Sequence, residues 1–253
     1  MTLLSVADLS KEFGGVHAVE ELSFSINPGT IHSIIGPNGA GKTTLFNLIT
    51  GIYTPSRGRI TLEGRDIAGR RPSELARLGM SRTFQNLQVF FNMSAVENVM
   101  VGHHLHLRRG FIPSLLRLPS VVRGDRACRA HAVELLEFVG LARYVHADAA
   151  SMPYGALKRL EIARALAARP RLLLLDEPAA GLNDSESREI DEVIKKVAAS
   201  GVTVVLVEHD MRMVMGISDH ILVLNYGRKL AEGTPAEVRA NPDVIAAYLG
   251  AQA

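Results

Sequence analysis

Residues 36–44 have the composition of a loop that binds phosphate. Their sequence, GPNGAGKTT, fits the pattern G-x-x-x-x-G-K-[ST], in which glycines let backbone N–H groups surround phosphate oxygens. Lys42 would reach the β- and γ-phosphates, and Thr43 would ligate Mg²⁺ because a hard cation prefers oxygen. The residues predicted here to contact the nucleotide are Gly36, Pro37, Asn38, Gly39, Ala40, Gly41, Lys42, Thr43 and Thr44. The bare pattern can also arise by chance in a glycine-rich turn.

A second run, residues 172–177, supplies carboxylates. Four leucines precede Asp176 and Glu177, and such an apolar run predicts a strand buried on both faces. Open α/β sheets bind ligands at the carboxyl ends of their strands. Asp176 is therefore predicted to hold Mg²⁺ through its hydration shell, and Glu177 to act as the general base for a water. The alternative for Glu177 is a surface carboxylate. Together the two runs predict a nucleoside triphosphatase that uses ATP and Mg²⁺.

His209 is a third candidate catalytic residue. It follows the apolar run 202–207, so it too should lie at a carboxyl end of the sheet. There it could touch the γ-phosphate and sense its loss. The alternative is a structural histidine with satisfied hydrogen bonds.

The elements around these residues predict their positions. Residues 30–36 (TIHSIIG) read as a strand and residues 41–50 as a helix, and the N-terminal dipole of that helix would favour bound phosphate. Residues 3–9 and 21–26 alternate like half-exposed antiparallel strands. Further strands are predicted at 58–63, 80–85, 172–175, 202–207 and 220–224, and helices at 72–78, 96–101 and 126–138.

The predicted fold is α/β: a P-loop NTPase with a RecA-like mixed sheet, an antiparallel β flap and an inserted helical subdomain. The whole chain, 1–253, is expected to form a single domain with two lobes. The helical subdomain should span 93–165 and a C-terminal tail 228–253.

Composition limits the partners and the compartment. The chain has 253 residues, is 47% hydrophobic and carries a formal net charge of +2. That charge is too small to indicate nucleic acid as the main partner. Cys128 is the only cysteine, so no internal disulfide can form, which suits a reducing cytoplasm. We expect neither a signal peptide nor a membrane-spanning segment.

These motifs resemble those of the ATP-binding subunits of ABC transporters over nearly the whole chain. GPNGAGKTT resembles that family's Walker A motif, RLLLLDEP its Walker B motif, GLND its D-loop and VEHD its switch histidine. The resemblance implies that Gln85, in RTFQN, is the Q-loop residue, reaching the same metal and water. It also implies that Phe13 stacks on adenine, with Val19 as a further nucleotide contact. The alternative for Phe13 is a phenylalanine in a surface turn.

The family signature, usually LSGGQ, is replaced here by MPYGA. In the family, this segment touches the γ-phosphate held by the opposite subunit, which implies that Tyr154 and Gly155 contact the partner's nucleotide. Pro153 and Ala156 stand where serine and glutamine are usual. A phosphate-binding hydroxyl is lost, and proline has no N–H to donate. We therefore expect the opposite site to be weakened and not abolished.

The signature variant and the ending GTPAEVRANPDVIAAYLG resemble the subunit of branched-chain amino acid importers that pairs with a different ATPase. Ala156 and Leu157 depart even from this branch's usual glutamines. The resemblance implies transmembrane permease subunits, a second ABC ATPase in a hetero- or homodimer, an indirect periplasmic solute-binding protein, and a peripheral place on the cytoplasmic face of the inner membrane. The alternatives are a lipopolysaccharide-type exporter or a soluble ABC ATPase acting on ribosomes or DNA. Neither the solute nor the activity of each nucleotide site follows from the sequence.

Residues 103–129 form a basic insert, whose arginines are Arg108, Arg109, Arg117, Arg123, Arg126 and Arg129. Such a segment could lie against anionic lipid or a permease loop. The alternative is a solvated charged face.

Overall fold

A computed structural model describes residues 2–106 and 119–249, which divide into two compact units. Within the described residues the first unit comprises 2–82, 171–177 and 194–249, and the second comprises 83–106, 119–170 and 178–193. The predicted helical subdomain, 93–165, covers fewer residues than this second unit, which begins earlier in the chain and also includes residues 178–193. Arg108, Arg109 and Arg117 of the basic insert lie outside the described residues, whereas Arg123, Arg126 and Arg129 are exposed on one helix.

The described elements follow in chain order. They are β1 (Leu4–Phe13), β2 (Val16–Ile26), β3 (Ile31–Ile35), α1 (Lys42–Ile49), β4 (Arg57–Leu62), β5 (Arg65–Asp66), α2 (Pro72–Arg77), β6 (Met80–Arg82), α3 (Ala95–Gly102), α4 (Pro119–Phe138), α5 (Tyr154–Leu166), β7 (Leu172–Asp176), α6 (Asp184–Ala199), β8 (Thr203–Val207), α7 (Met211–Ile217), β9 (His220–Asn225), β10 (Arg228–Gly233), α8 (Pro235–Ala240) and α9 (Pro242–Leu249). None of the described helices is both long and apolar enough to cross a membrane.

The first unit contains two sheets. A six-stranded sheet has the order β10-β9-β3-β8-β7-β6 and is parallel except for β10, which pairs antiparallel with β9. A four-stranded antiparallel sheet has the order β2-β1-β4-β5. The predicted mixed sheet and antiparallel flap are thus confirmed. The strands β5 and β10 were not predicted from the sequence.

The three central strands of the six-stranded sheet are buried along their whole length, which explains their apolar sequences. Every residue of β3, β7 and β8 is buried, as expected for parallel strands covered on both faces. Since these three strands are neighbours and run in the same direction, their carboxyl ends meet at one edge of the sheet. Gly36, Glu177 and Glu208 therefore follow directly from that edge.

The strand predicted at 80–85 is shorter in the structure. Pairing of β6 with β7 runs from Met80 to Arg82 and ends there. Gln85 consequently lies in an irregular segment and not in a strand.

The second unit is helical. Its helix α3 begins with a capping box, in which the backbone N–H and hydroxyl of Ser94 both donate to Glu97 at 2.8 and 2.7 Å. The apolar faces of its helices bury Val96, Leu136 and Leu160. The predicted helices at 96–101 and 126–138 are confirmed, and α4 begins earlier than predicted, at Pro119.

Candidate functional site

The loop between β3 and α1 needs glycine at two positions because its backbone approaches other backbone closely. A Cβ atom on Gly36 would lie 2.2 Å from the carbonyl oxygen of Leu224, and one on Gly41 would lie 2.5 Å from that of Ala18. Gly41 also adopts a φ of 99° where it caps α1, a conformation that L side chains rarely take. The glycines of the pattern thus have steric reasons in this fold.

Lys42 is buried at the start of α1. Its ammonium donates to the carbonyl oxygens of Gly36 at 2.6 Å and Pro37 at 3.0 Å. Burial lowers the pKa of the Lys42 ammonium, and the negative charge of Glu177 acts in the opposite direction. The loop therefore surrounds the Lys42 ammonium. The backbone amides of the loop and this ammonium can together neutralise the charge of a bound phosphate.

A pocket of about 430 Å³ opens over this loop. The residues that line it are Val16, His17, Ala18, Asn38, Gly39, Ala40, Gly41, Lys42, Thr43, Thr44, Glu177, His209 and Tyr226. The structure therefore brings Glu177 and His209 together with the loop, although they lie far apart in the sequence.

Glu177 is held in an uncommon backbone conformation at the end of β7. Its φ is 49°, in the left-handed region that non-glycine residues rarely occupy, and its N–H donates to the carbonyl of Val207 at 2.9 Å. Its Oε1 lies 2.5 Å from Nε2 of His209. Strain of this kind costs on the order of 1–3 kcal/mol and clusters at functional sites. The uncommon conformation thus occurs at a residue that lines the pocket.

Asp176 makes a buried ion pair that was not predicted from the sequence. Its Oδ2 accepts from Nη2 of Arg82 at 2.7 Å, and both side chains are only 9% exposed. Nη1 of Arg82 also donates to Asn47 at 2.7 Å and to Thr50 at 2.9 Å, both in or beside α1. The only signal in the sequence was an arginine within the strand predicted at 80–85.

Val19, a predicted nucleotide contact, does not line the pocket. Val19 is fully buried in the hydrophobic core, so Val16, His17 and Ala18 form the pocket wall instead. The left-handed φ of 48° at Glu21 inserts an extra residue into β2 and shifts the alternation by one, which turns Val19 inward. The predicted nucleotide contact of Val19 is therefore corrected.

Phe13 is half exposed at the end of β1. Its ring packs edge-on against Tyr53 at 5.3 Å, and the Lys11 ammonium lies 4.8 Å from its centroid. Tyr226, in contrast, lines the pocket and is 85% exposed. Tyr226 was not predicted from the sequence to lie at the site. Its signal was an aromatic residue before a glycine in the β9–β10 turn.

Gln85 and the signature residues belong to the second unit. There the Lys158 ammonium donates to the backbone carbonyl of Gln85 at 3.2 Å. The ring of Tyr154 packs 3.3 Å from the position that a Cβ on Gly181 would take. A Cβ on Gly155 would lie 2.7 Å from a carboxylate oxygen of Glu186. The start of α5 is thus packed tightly against residues of the predicted D-loop and the start of α6.

The mixed sheet, the phosphate-binding loop and the carboxylate beside it define a P-loop nucleoside triphosphatase. Residues 19–180 match the ABC transporter family, and residues 228–253 match a family described as branched-chain amino acid ATP-binding cassette transporter. The chain belongs to the ABC transporter family and is an ATPase. The resemblance inferred from its motifs is confirmed.

Relatives and solved structures match the chain over nearly its whole length. It is 47% identical to the high-affinity branched-chain amino acid transport ATP-binding protein BraF of Pseudomonas aeruginosa, over 98% of both chains. It is 46% identical to the corresponding protein LivG of Escherichia coli K12, again over 98% of both. A crystal structure of an ABC transporter's ATP-binding cassette in its ADP conformation matches with a TM-score of 0.86 and 32% identity, over 99% of both chains.

Proposed function

We propose that the chain is the ATP-hydrolysing subunit of an importer for branched-chain or other hydrophobic amino acids. The observation that carries this proposal is the agreement of two family matches: residues 19–180 match the ABC transporter family, and residues 228–253 match a branched-chain amino acid transporter family. Two relatives, which are 46% and 47% identical to this chain in sequence, are named as branched-chain amino acid transport proteins. Their names support the same substrate class.

The chemistry assigned to each residue follows from its position. The amides of residues 38–44 and the Lys42 ammonium bind the phosphates of ATP and stabilise charge that develops during phosphoryl transfer. Glu177 accepts a proton from the attacking water, since its carboxylate lines the same pocket. His209 holds that carboxylate through the 2.5 Å contact and can touch the γ-phosphate. Gln85 is assigned to the same metal and water.

The chain offers the oxygen ligands that Mg²⁺ prefers, in Thr43 and Asp176. Thr43 lines the pocket, and Asp176 is the last residue of β7. Mg²⁺ in such sites usually binds through one or two protein oxygens together with phosphates and water. When bound, the ion would neutralise charge on the phosphates. The Asp176 carboxylate would hold it through its hydration shell, with Arg82 fixing the orientation of that carboxylate.

The proposed assembly contains a pair of transmembrane permease subunits and a second ABC ATPase, and it receives solute from a periplasmic binding protein. The chain would lie peripherally on the cytoplasmic face of the inner membrane. Tyr154 and Gly155 would face the partner's nucleotide, and Pro153 and Ala156 support unequal activity of the two sites, because they lack the usual hydroxyl and amide.

The test is to purify the tagged chain from detergent-solubilised membranes and to identify its partners, and then to measure uptake of radiolabelled leucine by the reconstituted complex. The proposal expects permease subunits, a second ATPase and ATP-dependent leucine uptake. Lys42→Ala provides the control, because it should preserve the assembly and abolish uptake. Recovery of ribosomes, DNA or a lipid-export permease in place of the importer would contradict the proposal.

A further inference from the structure

Buried side chains of α5 hold the backbone of the segment that contains Gln85. Residues 83–90 of the second unit form neither a helix nor a strand, so their N–H and C=O groups must find partners outside a regular ladder. The Lys158 ammonium donates to the carbonyl of Gln85 at 3.2 Å. Oε1 of Glu161 accepts from the N–H of Gln88 at 2.8 Å. Two charged side chains of one helix thus bond the backbone of this segment directly.

Arg164 continues the same row of side chains. Its guanidinium donates to the carbonyl of Gln88 and lies 5.6 Å from the centroid of the Phe90 ring. It is also 3.9 Å from Oε1 of Glu161. Lys158, Glu161 and Arg164 follow one another at three-residue intervals, so each is a neighbour of the next on the surface of α5.

The far end of the segment is fixed by α3. Oδ1 of Asn98 accepts from the N–H of Phe90 at 2.9 Å, and Nδ2 of Asn98 donates to the carbonyl of Phe90 at 3.0 Å. Asn98 is completely buried, and its Nδ2 also donates to the carbonyl of Ser94 at 3.0 Å. The backbone from Gln85 to Phe90 is therefore held by side chains at both of its ends.

The charges on α5 lie in the interior of the second unit. Lys158 and Glu161 are each only 3% exposed. Burial raises the pKa of the Glu161 carboxyl, while the N–H of Gln88 and the charges of Lys158 and Arg164 act in the opposite direction. A buried charge is costly unless it is paired and hydrogen-bonded, and well-packed apolar side chains often stabilise such positions equally well. What the charged groups add here is a set of bonds that fixes the path of residues 85–90.

We propose that Glu161 and Lys158 are positioning residues for ATP hydrolysis, which hold the backbone of residues 85–90 and thereby set the place of Gln85. They would act through the backbone of Gln85 and Gln88 without touching the nucleotide. This inference rests on the proposed function, in which Gln85 is assigned to the metal and the attacking water.

Two variants of Glu161 test the proposal. Glu161→Gln keeps an oxygen that can accept from the N–H of Gln88, whereas Glu161→Leu removes the acceptor. We expect kcat for phosphate release by the full chain to fall about tenfold in Glu161→Leu, the equivalent of one lost hydrogen bond, with KM for ATP within about twofold. Glu161→Gln should retain most of the activity. Hydrogen exchange of the backbone amides in residues 85–90 should accelerate in Glu161→Leu and not in Glu161→Gln.

A double variant shows whether Glu161 acts through Gln85. Once Gln85 is replaced by alanine, adding Glu161→Leu should lower kcat by less than about twofold, because residues that act as a unit are not additive. Full multiplication of the two losses would overturn the positioning role, as would unchanged kcat and amide exchange in Glu161→Leu. If Gln85→Ala alone leaves kcat unchanged, the role assigned to Gln85 in the proposed function fails instead.

Two controls separate positioning from general stability. Leu160→Ala truncates a fully buried side chain of the same helix, so it should lower the melting temperature and leave kcat within about twofold. Glu189→Gln weakens a 3.0 Å contact between Arg159 of α5 and an exposed carboxylate of α6, and it should change neither kcat nor amide exchange in residues 85–90. A loss of kcat in Leu160→Ala equal to that in Glu161→Leu would show that only stability is involved.

Discussion

Nε2 of His209 lies 2.5 Å from Oε1 of Glu177, and both residues line the pocket that contains Lys42. The side chain of Glu177 is 15% exposed, whereas that of His209 is 50% exposed. The imidazole of His209 is thus more exposed to solvent than the carboxylate of Glu177 that it contacts. This contact restricts the orientation of Glu177 and couples it to any movement of the segment that carries His209.

Replacement of Glu177 by glutamine should separate binding from hydrolysis. The amide is nearly isosteric but cannot accept the proton of the attacking water, so phosphate release should fall by about 10²- to 10⁴-fold. ATP affinity should remain close to that of the unaltered chain. The measurements are steady-state phosphate release and equilibrium ATP binding. Glu12→Gln, on the exposed surface of β1, is the matched control, and substantial turnover by Glu177→Gln would remove this residue from the mechanism.

His209→Ala tests whether the contact with Glu177 has a catalytic effect. Because a misplaced base loses efficiency, we expect kcat to fall about 10- to 100-fold with a smaller change in KM. The double variant with Glu177→Gln should be little worse than Glu177→Gln alone, since residues that act as a unit are not additive. Fully multiplicative losses would show that the two side chains act independently.

The Arg82–Asp176 ion pair should contribute strongly to stability. Both side chains are buried, and removal of one partner from a buried pair typically costs about 3–5 kcal/mol because a charge is left in the interior. Arg82→Ala should reduce the free energy of unfolding in urea by a loss in that range. Arg59→Ala is the matched control, since its contact with Asp66 is exposed and 3.9 Å long, and it should cost less than about 1 kcal/mol. Equal effects of the two variants would contradict this prediction.

His32 should make stability depend on pH. Burial lowers the pKa of its imidazole from the ordinary 6.5 to about 4, and the neighbouring His220 adds to this effect, while Asp219 and Glu232 oppose it. Between those values the unfolded chain binds a proton that the folded chain does not. Stability is therefore fully present above pH 6.5 and is lost as pH falls towards 4, by up to about 3 kcal/mol.

Urea unfolding at pH 5 and pH 7 provides the measurement. His32→Gln should reduce the difference in stability between these two pH values, because its amide does not titrate. His146→Gln, at an exposed position, should leave the difference unchanged. If His32→Gln retains the full pH dependence, other groups are responsible for it.

Sequence patterns alone specify the phosphate-binding loop, the buried strands and the order of the elements. These features depend on local patterns: the glycine-rich run 36–44 fits a phosphate-binding loop, and unbroken apolar runs form strands covered on both faces. Because parallel strands end at one edge of a sheet, the convergence of Glu177, His209 and Lys42 could be predicted as well. The motif order was sufficient to indicate the family.

The tertiary structure alone decided which side chains meet across the fold. The pairing of Arg82 with Asp176 depends on the order of the strands in the six-stranded sheet. Val19 faces the core because a single left-handed residue, Glu21, shifts the alternation of β2. Such contacts join residues distant in the chain, and a one-residue shift reverses the face of a strand, so residue periodicity cannot specify them.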